Sequence, residues 1–230
     1  MGHGCGRFPG RALRVSRRPS EPVGPVRDLR AGLAGTKCWD LHTQELFERH
    51  GEALEDCALQ NREELLGLCE FIEAQGIRSY LEIGVWTGRT IEALHRLFAF
   101  DKVAACDHGW AARRGLPMHV PAEADWLQAD SDSPEFLRWR EELGHVDLVL
   151  IDANHRYDAV RRDFETNRRF PHRFLALHDI TGFHPATRGV ARLWKELQGD
   201  KVEIVRPHRE IGVEHSTMGI GIWSAGHGSA

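Results

Sequence analysis

Tyr80-Leu81-Glu82-Ile83-Gly84-Val85-Trp86-Thr87-Gly88 reads as a strand ending in an acid, then a glycine-hinged loop, then the start of a helix at Arg89-Thr90. An acid at a strand end can catch a ligand's amine or hydroxyl, and the two glycines let the backbone approach it closely. Three more strand ends carry polar groups: Ala105-Cys106-Asp107, Leu150-Ile151-Asp152 with His155, and Leu177-His178-Asp179. In an open α/β sheet, ligands bind outside the carboxyl ends of the strands, so these four signals point to one crevice.

Apolar spacing fills in the elements between them. Leu54, Cys57, Ala58, Leu65, Leu68, Cys69 and Ile72 fall mostly at helical intervals, which predicts one helix from Leu54 to Ile72. A strand over 78–83 follows, then a helical stripe at Ile91, Leu94, Leu97 and Phe98, and a strand over 102–106. Residues 108–127 have no clean period and predict a long, functional loop before a short strand at 127–129. Ser133 and Pro134 suit the cap and first turn of a helix. Val146 to Ile151 is apolar except for Asp147, as in a strand buried on both faces. A helix at 157–170, a strand at 174–177, a stripe at Val190, Leu193, Trp194 and Leu197, and strands at 202–205 and 217–223 complete the chain. This alternation, with no helix between the last two strands, predicts a mostly parallel sheet with an antiparallel edge.

The composition is that of a globular protein, 41% hydrophobic and 28% charged, and 230 residues suffice for one α/β domain. No apolar run approaches the ~20 residues that span a bilayer. The net charge of −4 is uneven: residues 1–33 carry seven Arg against Glu21 and Asp28, which leaves −9 on the remainder. So acidic a body argues against a nucleic-acid partner. Five scattered cysteines without CxxC spacing predict neither structural zinc nor a disulfide framework, and suit a reducing cytoplasm. The Arg-, Gly- and Pro-rich stretch 1–33 is expected to be disordered, leaving 34–230 as a single domain. Its Arg-rich start also resembles a transit peptide, although its prolines and glycines spoil an amphipathic helix. It has no apolar h-region, which excludes a secretory signal.

A dinucleotide enzyme wants G-x-G-x-x-G after its first strand. Here Trp86 stands where the second glycine belongs, and its bulk would obstruct a pyrophosphate. A cofactor without phosphates fits better, with its amino-acid end against Glu82, Gly84 and Gly88, and S-adenosylmethionine is such a ligand. Asp107 closes the second strand, where a carboxylate can accept both ribose hydroxyls, or can serve as a solvated turn residue. Asp130 and Ser131 follow the third strand, where an adenine edge would lie; Ser131 is equally placed to enter the next helix.

LEIGVWTGRT (81–90), DLVLIDANHRYDAVRRDFE (147–165), LHDITGFHPATRGVARLWKEL (177–197) and MGIGIW (218–223) together resemble the class I S-adenosylmethionine-dependent methyltransferases. They are most similar to the branch of small-molecule and sugar O-methyltransferases and cephalosporin hydroxylase-like proteins. The IDxxHxYxxVxxD pattern at 151–163 and the pair His178-Asp179 are the branch-specific features. The resemblance implies a three-layer Rossmann-like sandwich of seven strands, mostly parallel, the last antiparallel. It implies a divalent metal held by Asp152, His178 and Asp179, and His155 as general base toward an acceptor hydroxyl. Two carboxylates suit Mg²⁺ or Mn²⁺, while an imidazole leans toward Mn²⁺ or a softer ion. The competing assignments are a core histidine at 178 with no metal, and a helix-capping histidine at 155.

The expected activity is methyl transfer to an oxygen of a small hydroxylated molecule in natural-product biosynthesis, a sugar or glycosylated metabolite. Neither nucleic acid nor membrane is expected as a partner, and related enzymes assemble as homo-oligomers. His108, Trp110, His184, His208 and His215 are candidates for the acceptor pocket, whereas Tyr157, Asp163, Trp39, Trp139 and Trp194 are read as structural. Two rival readings share the scaffold: a metal-dependent hydroxylase or hydrolase, and a non-catalytic partner subunit.

Overall fold

The computed structural model describes residues 28–51 and 54–225. Seven strands form one sheet: β1 (Ser79–Ile83), β2 (Lys102–Asp107), β3 (Asp125–Gln128), β4 (Val146–Ile151), β5 (His172–His178), β6 (Asp200–Ile204) and β7 (Ile220–Ser224). Their order is β3-β2-β1-β4-β5-β7-β6. All neighbours pair in parallel except β7, which is antiparallel to both β5 and β6. The antiparallel strand is therefore interior, not at the edge as the alternation suggests, because the loop after β6 carries the chain back between its two predecessors.

Among the described residues eight α-helices accompany the sheet: α1 (Leu29–Leu33), α2 (Leu41–His50), α3 (Arg62–Gln75), α4 (Arg89–Phe98), α5 (Trp110–Arg113), α6 (Pro134–Leu143), α7 (Tyr157–Asn167) and α8 (Arg188–Glu196). The strands alternate their side chains between two cores, as a two-residue period requires. Tyr80, Leu148, Leu150, Ala176 and Ile222 pack with α1, α3 and α4 on one face. Leu81, Ile83, Val149, Ile151, Leu175 and Leu177 pack with α6, α7 and α8 on the other. Burial on both faces explains the near-continuous apolar run of β4. Its one acid, Asp147, sits at the strand's start and accepts the N–H groups of Arg78 (2.8 Å) and Ser79 (3.1 Å), anchoring β1 to β4.

Several expected boundaries move. Of the segment 1–33, residues 1–27 lie outside the described residues, along with the transit-peptide reading. Residues 29–33 are α1, capped by Asp28 and seated through buried Leu29 and Leu33 against α3 and α4. The expected helix at 54–72 begins only at Arg62, where Asn61 caps it. Cys57 and Ala58 are buried because this irregular run crosses the core, with Ala58 bridged to Cys38. The expected long loop contains α5 and most of β3. Cys38, Cys57, Cys69 and Cys106 are free, buried thiols. No helix among the described residues is long and apolar enough to cross a membrane.

Strand order reverses direction between β1 and β4, since the chain builds outward from β1 through β2 and β3 and then returns. That switch point opens a crevice at the carboxyl ends of β1 and β4, where Glu82 and Asp152 lie.

Candidate active site

A cavity of about 1200 Å³ occupies the crevice. Glu82, Gly84, Asp107, Asp130, Ser131, Asp152, His155, His178 and Asp179 all border it; of the expected site residues only Gly88 does not. Gly88 instead caps α4 in the left-handed region at φ +87°, and its N–H reaches the Val85 carbonyl at 2.7 Å.

The glycine loop owes its shape to packing within the chain. Gly84 has φ +84°, and a Cβ there would lie 2.3 Å from the Asp152 carbonyl oxygen. Asp107 sets the rest of the loop. One carboxylate oxygen accepts the Val85 N–H at 3.1 Å and faces that of Trp86 at 3.4 Å; the other accepts the N–H groups of Gly109 and Trp110. The carboxylate expected to serve a ribose therefore already ties the glycine loop to the β2–α5 turn. A ribose could engage it only by sharing or displacing these donors. Trp86, itself at φ +54°, packs at a tilt against Trp110 with centroids 4.7 Å apart and donates its indole N–H to the Glu55 carbonyl. Glu82 is buried and accepts the Tyr80 hydroxyl at 2.8 Å. Burial pushes its carboxyl up to about 8, and the nearby Asp152 charge adds to this.

Ser131 donates to Asp163 at 2.7 Å, so its hydroxyl proton is directed at α7. Burial raises the Asp163 carboxyl to about 6, with Ser131 pulling the other way.

Beyond the ends of β4 and β5 four side chains converge. Asp152 Oδ1 lies 3.2 Å from His155 Nε2 and 3.2 Å from His178 Nδ1. Asp179 Oδ2 lies 3.3 Å and 3.6 Å from the same two nitrogens. One donor atom from each residue falls within 4.8 Å of the others, a spacing that suits a single divalent ion. His155 thus joins the expected trio of Asp152, His178 and Asp179. Asp179 adopts φ +65°, a strained conformation for a residue with a side chain, while its carboxylate faces both imidazoles. Burial alone would raise the Asp152 carboxyl, but the charge of His178 and the hydrogen bonds from both imidazoles hold it near 2. Burial would likewise lower His178, yet Asp152 and Asp179 raise it to about 10, and they raise His155 against the same opposition. His178 Nε2 is buried without a partner.

Lining residues that the sequence reading did not assign to the site include Gln60, Trp39 and Phe47. Gln60 donates from Nε2 to Asp152 Oδ2 at 3.0 Å. Trp39, read as packing, and Phe47 form an aromatic wall with His184, at centroid distances of 5.7 Å (Trp39–Phe47) and 4.9 Å (Phe47–His184). The caps Asp40 and Asn61, each followed by a helix, were the available signals for α2 and for the true start of α3; nothing local marked Gln60. Of the other pocket candidates, His108, Trp110 and His184 border the cavity. His208 is buried between Thr217 and the Trp39 carbonyl, and His215 packs on Phe183.

Residues 81–180 match the family model of a methyltransferase domain. No curated protein matches the sequence. Among solved structures, the O-methyltransferase from Bacillus cereus in complex with SAH is 12% identical, with a TM-score of 0.54, covering 87% of this chain and 92% of its own. The O-methyltransferase TomG from Streptomyces achromogenes, involved in tomaymycin synthesis and solved with SAM, is 14% identical at a TM-score of 0.53, covering 86% and 95%. The methyltransferase MycE of the mycinamycin pathway, in complex with Mg and SAH, is 18% identical at a TM-score of 0.51, covering 85% and 58%.

Proposed function

We propose that this chain is a class I methyltransferase that transfers a methyl group from S-adenosylmethionine to an oxygen of a small hydroxylated molecule, a sugar or glycosylated metabolite. The observation that carries the reading is one cavity bordered both by the Glu82–Gly84 loop and by the Asp152–His155–His178–Asp179 cluster. The cofactor-bound neighbours support the donor, and the Mg-containing one supports a metal-assisted variant. Residues 28–225 act as a single catalytic domain of a cytoplasmic enzyme.

When bound, the donor supplies an electrophilic methyl group, and a divalent ion at the cluster would polarise an acceptor oxygen. Asp152, His178 and Asp179 would hold such an ion, a set favouring Mn²⁺ over Mg²⁺ by its imidazole. The protein's own part is positioning and proton transfer. Glu82 and the Gly84 loop seat the donor's amino-acid end, Asp107 fixes that loop, and Asp130 and Ser131 border the adenine side. His155, its Nε2 facing Asp152 and Asp179, takes the acceptor's proton at Nδ1, and the two carboxylates stabilise the imidazolium that results. Holding both partners in line is worth more than any covalent assistance in a displacement of this kind.

The test is incubation with labelled S-adenosylmethionine and a panel of hydroxylated metabolites, with and without chelator. Label transfer abolished by chelator supports the full reading. Transfer that persists in excess chelator removes the metal only, and failure to bind S-adenosylhomocysteine removes the methyltransferase.

A further inference from the structure

Gln60 lies outside the matched segment 81–180, in the irregular run between α2 and α3. Its side chain is buried, the residue being only 1% exposed, and its carbonyl receives the Trp39 N–H at 3.1 Å. The bond from Nε2 to Asp152 Oδ2 (3.0 Å) fixes which way the amide faces, because the reversed amide would set a carbonyl against a carboxylate. Oε1 is consequently turned elsewhere, buried and without a partner, on a residue that lines the cavity. A buried acceptor left unpaired is costly and calls for a donor from a ligand or an ordered water.

The surroundings select the kind of donor. Gly84 packs directly on Asp152, and the Asp152 N–H bonds to the Ile83 carbonyl at 2.8 Å. Gln60, Asp152 and the glycine loop are thus contiguous. Glu82, Asp107, Asp152 and Asp179 all border the same space and offer further acceptor oxygens, so a donor carrying several N–H groups is favoured there over a hydroxyl with a single proton. We infer that Gln60 accepts, through Oε1, an N–H of the methyl donor's α-ammonium group while it holds Asp152 through Nε2. It is a positioning residue that ties the seat of the donor to the catalytic cluster. The inference rests on the cavity being the S-adenosylmethionine site.

Calorimetry with S-adenosylhomocysteine and with its analogue lacking only the α-amino group tests this in the wild type and in Gln60→Met, which keeps the length and removes both hydrogen bonds. The wild type should prefer the amino compound. Gln60→Met should weaken that compound roughly tenfold or more while changing the analogue by less than about twofold. Equal weakening of both ligands, or none, overturns the inference, since a merely structural role would not discriminate between them. Gln60→Leu carries the same comparison if a thermal melt shows the Met variant unfolded. Wild-type protein that binds neither ligand overturns the cofactor reading itself, whereas wild-type binding with undisturbed variants removes only the role of Gln60.

Discussion

Loading the site formed by Asp152, His178 and Asp179 with Mn²⁺ should expel a proton from His178, so affinity should climb steeply with pH. In the metal-free protein His178 Nδ1 stands 3.2 Å from Asp152 and 3.6 Å from Asp179, and these carboxylates overcome burial to raise the imidazole to about 10. A metal needs the neutral ring. At pH 7 the proton is held by about three pH units, each worth 1.36 kcal/mol, so its removal costs roughly 4 kcal/mol of binding free energy. Apparent affinity should therefore rise about tenfold per pH unit from neutrality upward. Titration calorimetry of Mn²⁺ in two buffers of different ionisation enthalpy reads the proton count directly, and at least one proton should be released. His178→Glu should flatten the slope and shift preference toward Mg²⁺. The same linkage acts on stability without metal. A raised folded pKa means the His178 contribution is complete below about 6.5 and is lost as pH rises through about 10. The depressed Asp152 pKa gives a contribution present above about 3.9 and lost as pH falls through about 2. Affinity independent of pH, with no proton released, would refute this account of the cluster.

Four further outcomes are expected. Gly84→Ala would press a methyl group 2.3 Å from the Asp152 carbonyl oxygen at φ +84°, so it should cost at least about 2 kcal/mol and lower the melting temperature; an unchanged melt would contradict the packing argument. Asp107→Asn should lower thermal stability and S-adenosylhomocysteine affinity together, because the carboxylate organises the loop; lost affinity at unchanged stability would show that it serves the ligand alone. His155→Gln should slow single-turnover methyl transfer about 10²–10⁴-fold, with partial recovery for more acidic acceptors, and a wild-type rate would remove it as base. Arg140→Met should leave stability unchanged or raise it, since the guanidinium is buried without a carboxylate, keeps one unpaired nitrogen and is lowered to about 10 by burial; a melting temperature lower by many degrees would refute this.

The strand ends were legible because each combines a short apolar run with a terminal acid, and a parallel sheet places all such ends on one rim. Glu82, Asp107, Asp152 and Asp179 come together for that reason alone. The amino-terminal cover was not legible. Thr43 is the only buried residue of α2, so that helix has no apolar stripe, and Cys57 and Ala58 mimic helical spacing within an irregular run. Gln60 is neutral and belongs to no motif. Its importance arises only where the run it sits on meets Asp152, 92 positions later. The partners of Asp107 were hidden for a similar cause: backbone N–H groups leave no trace in residue identity.

The place of β7 between β5 and β6 bears on how the chain is made. During synthesis β6 emerges before its only neighbour, and β5 keeps one open edge until residues 220–224 arrive to pair with both. Leu175, Leu177 and Trp194 wait meanwhile for Trp223 to complete their side of the core. Nascent chains stalled after β6 should therefore offer an unpaired strand edge to chaperones or to one another, and protease resistance should arrive in a single late step once β7 has cleared the ribosome.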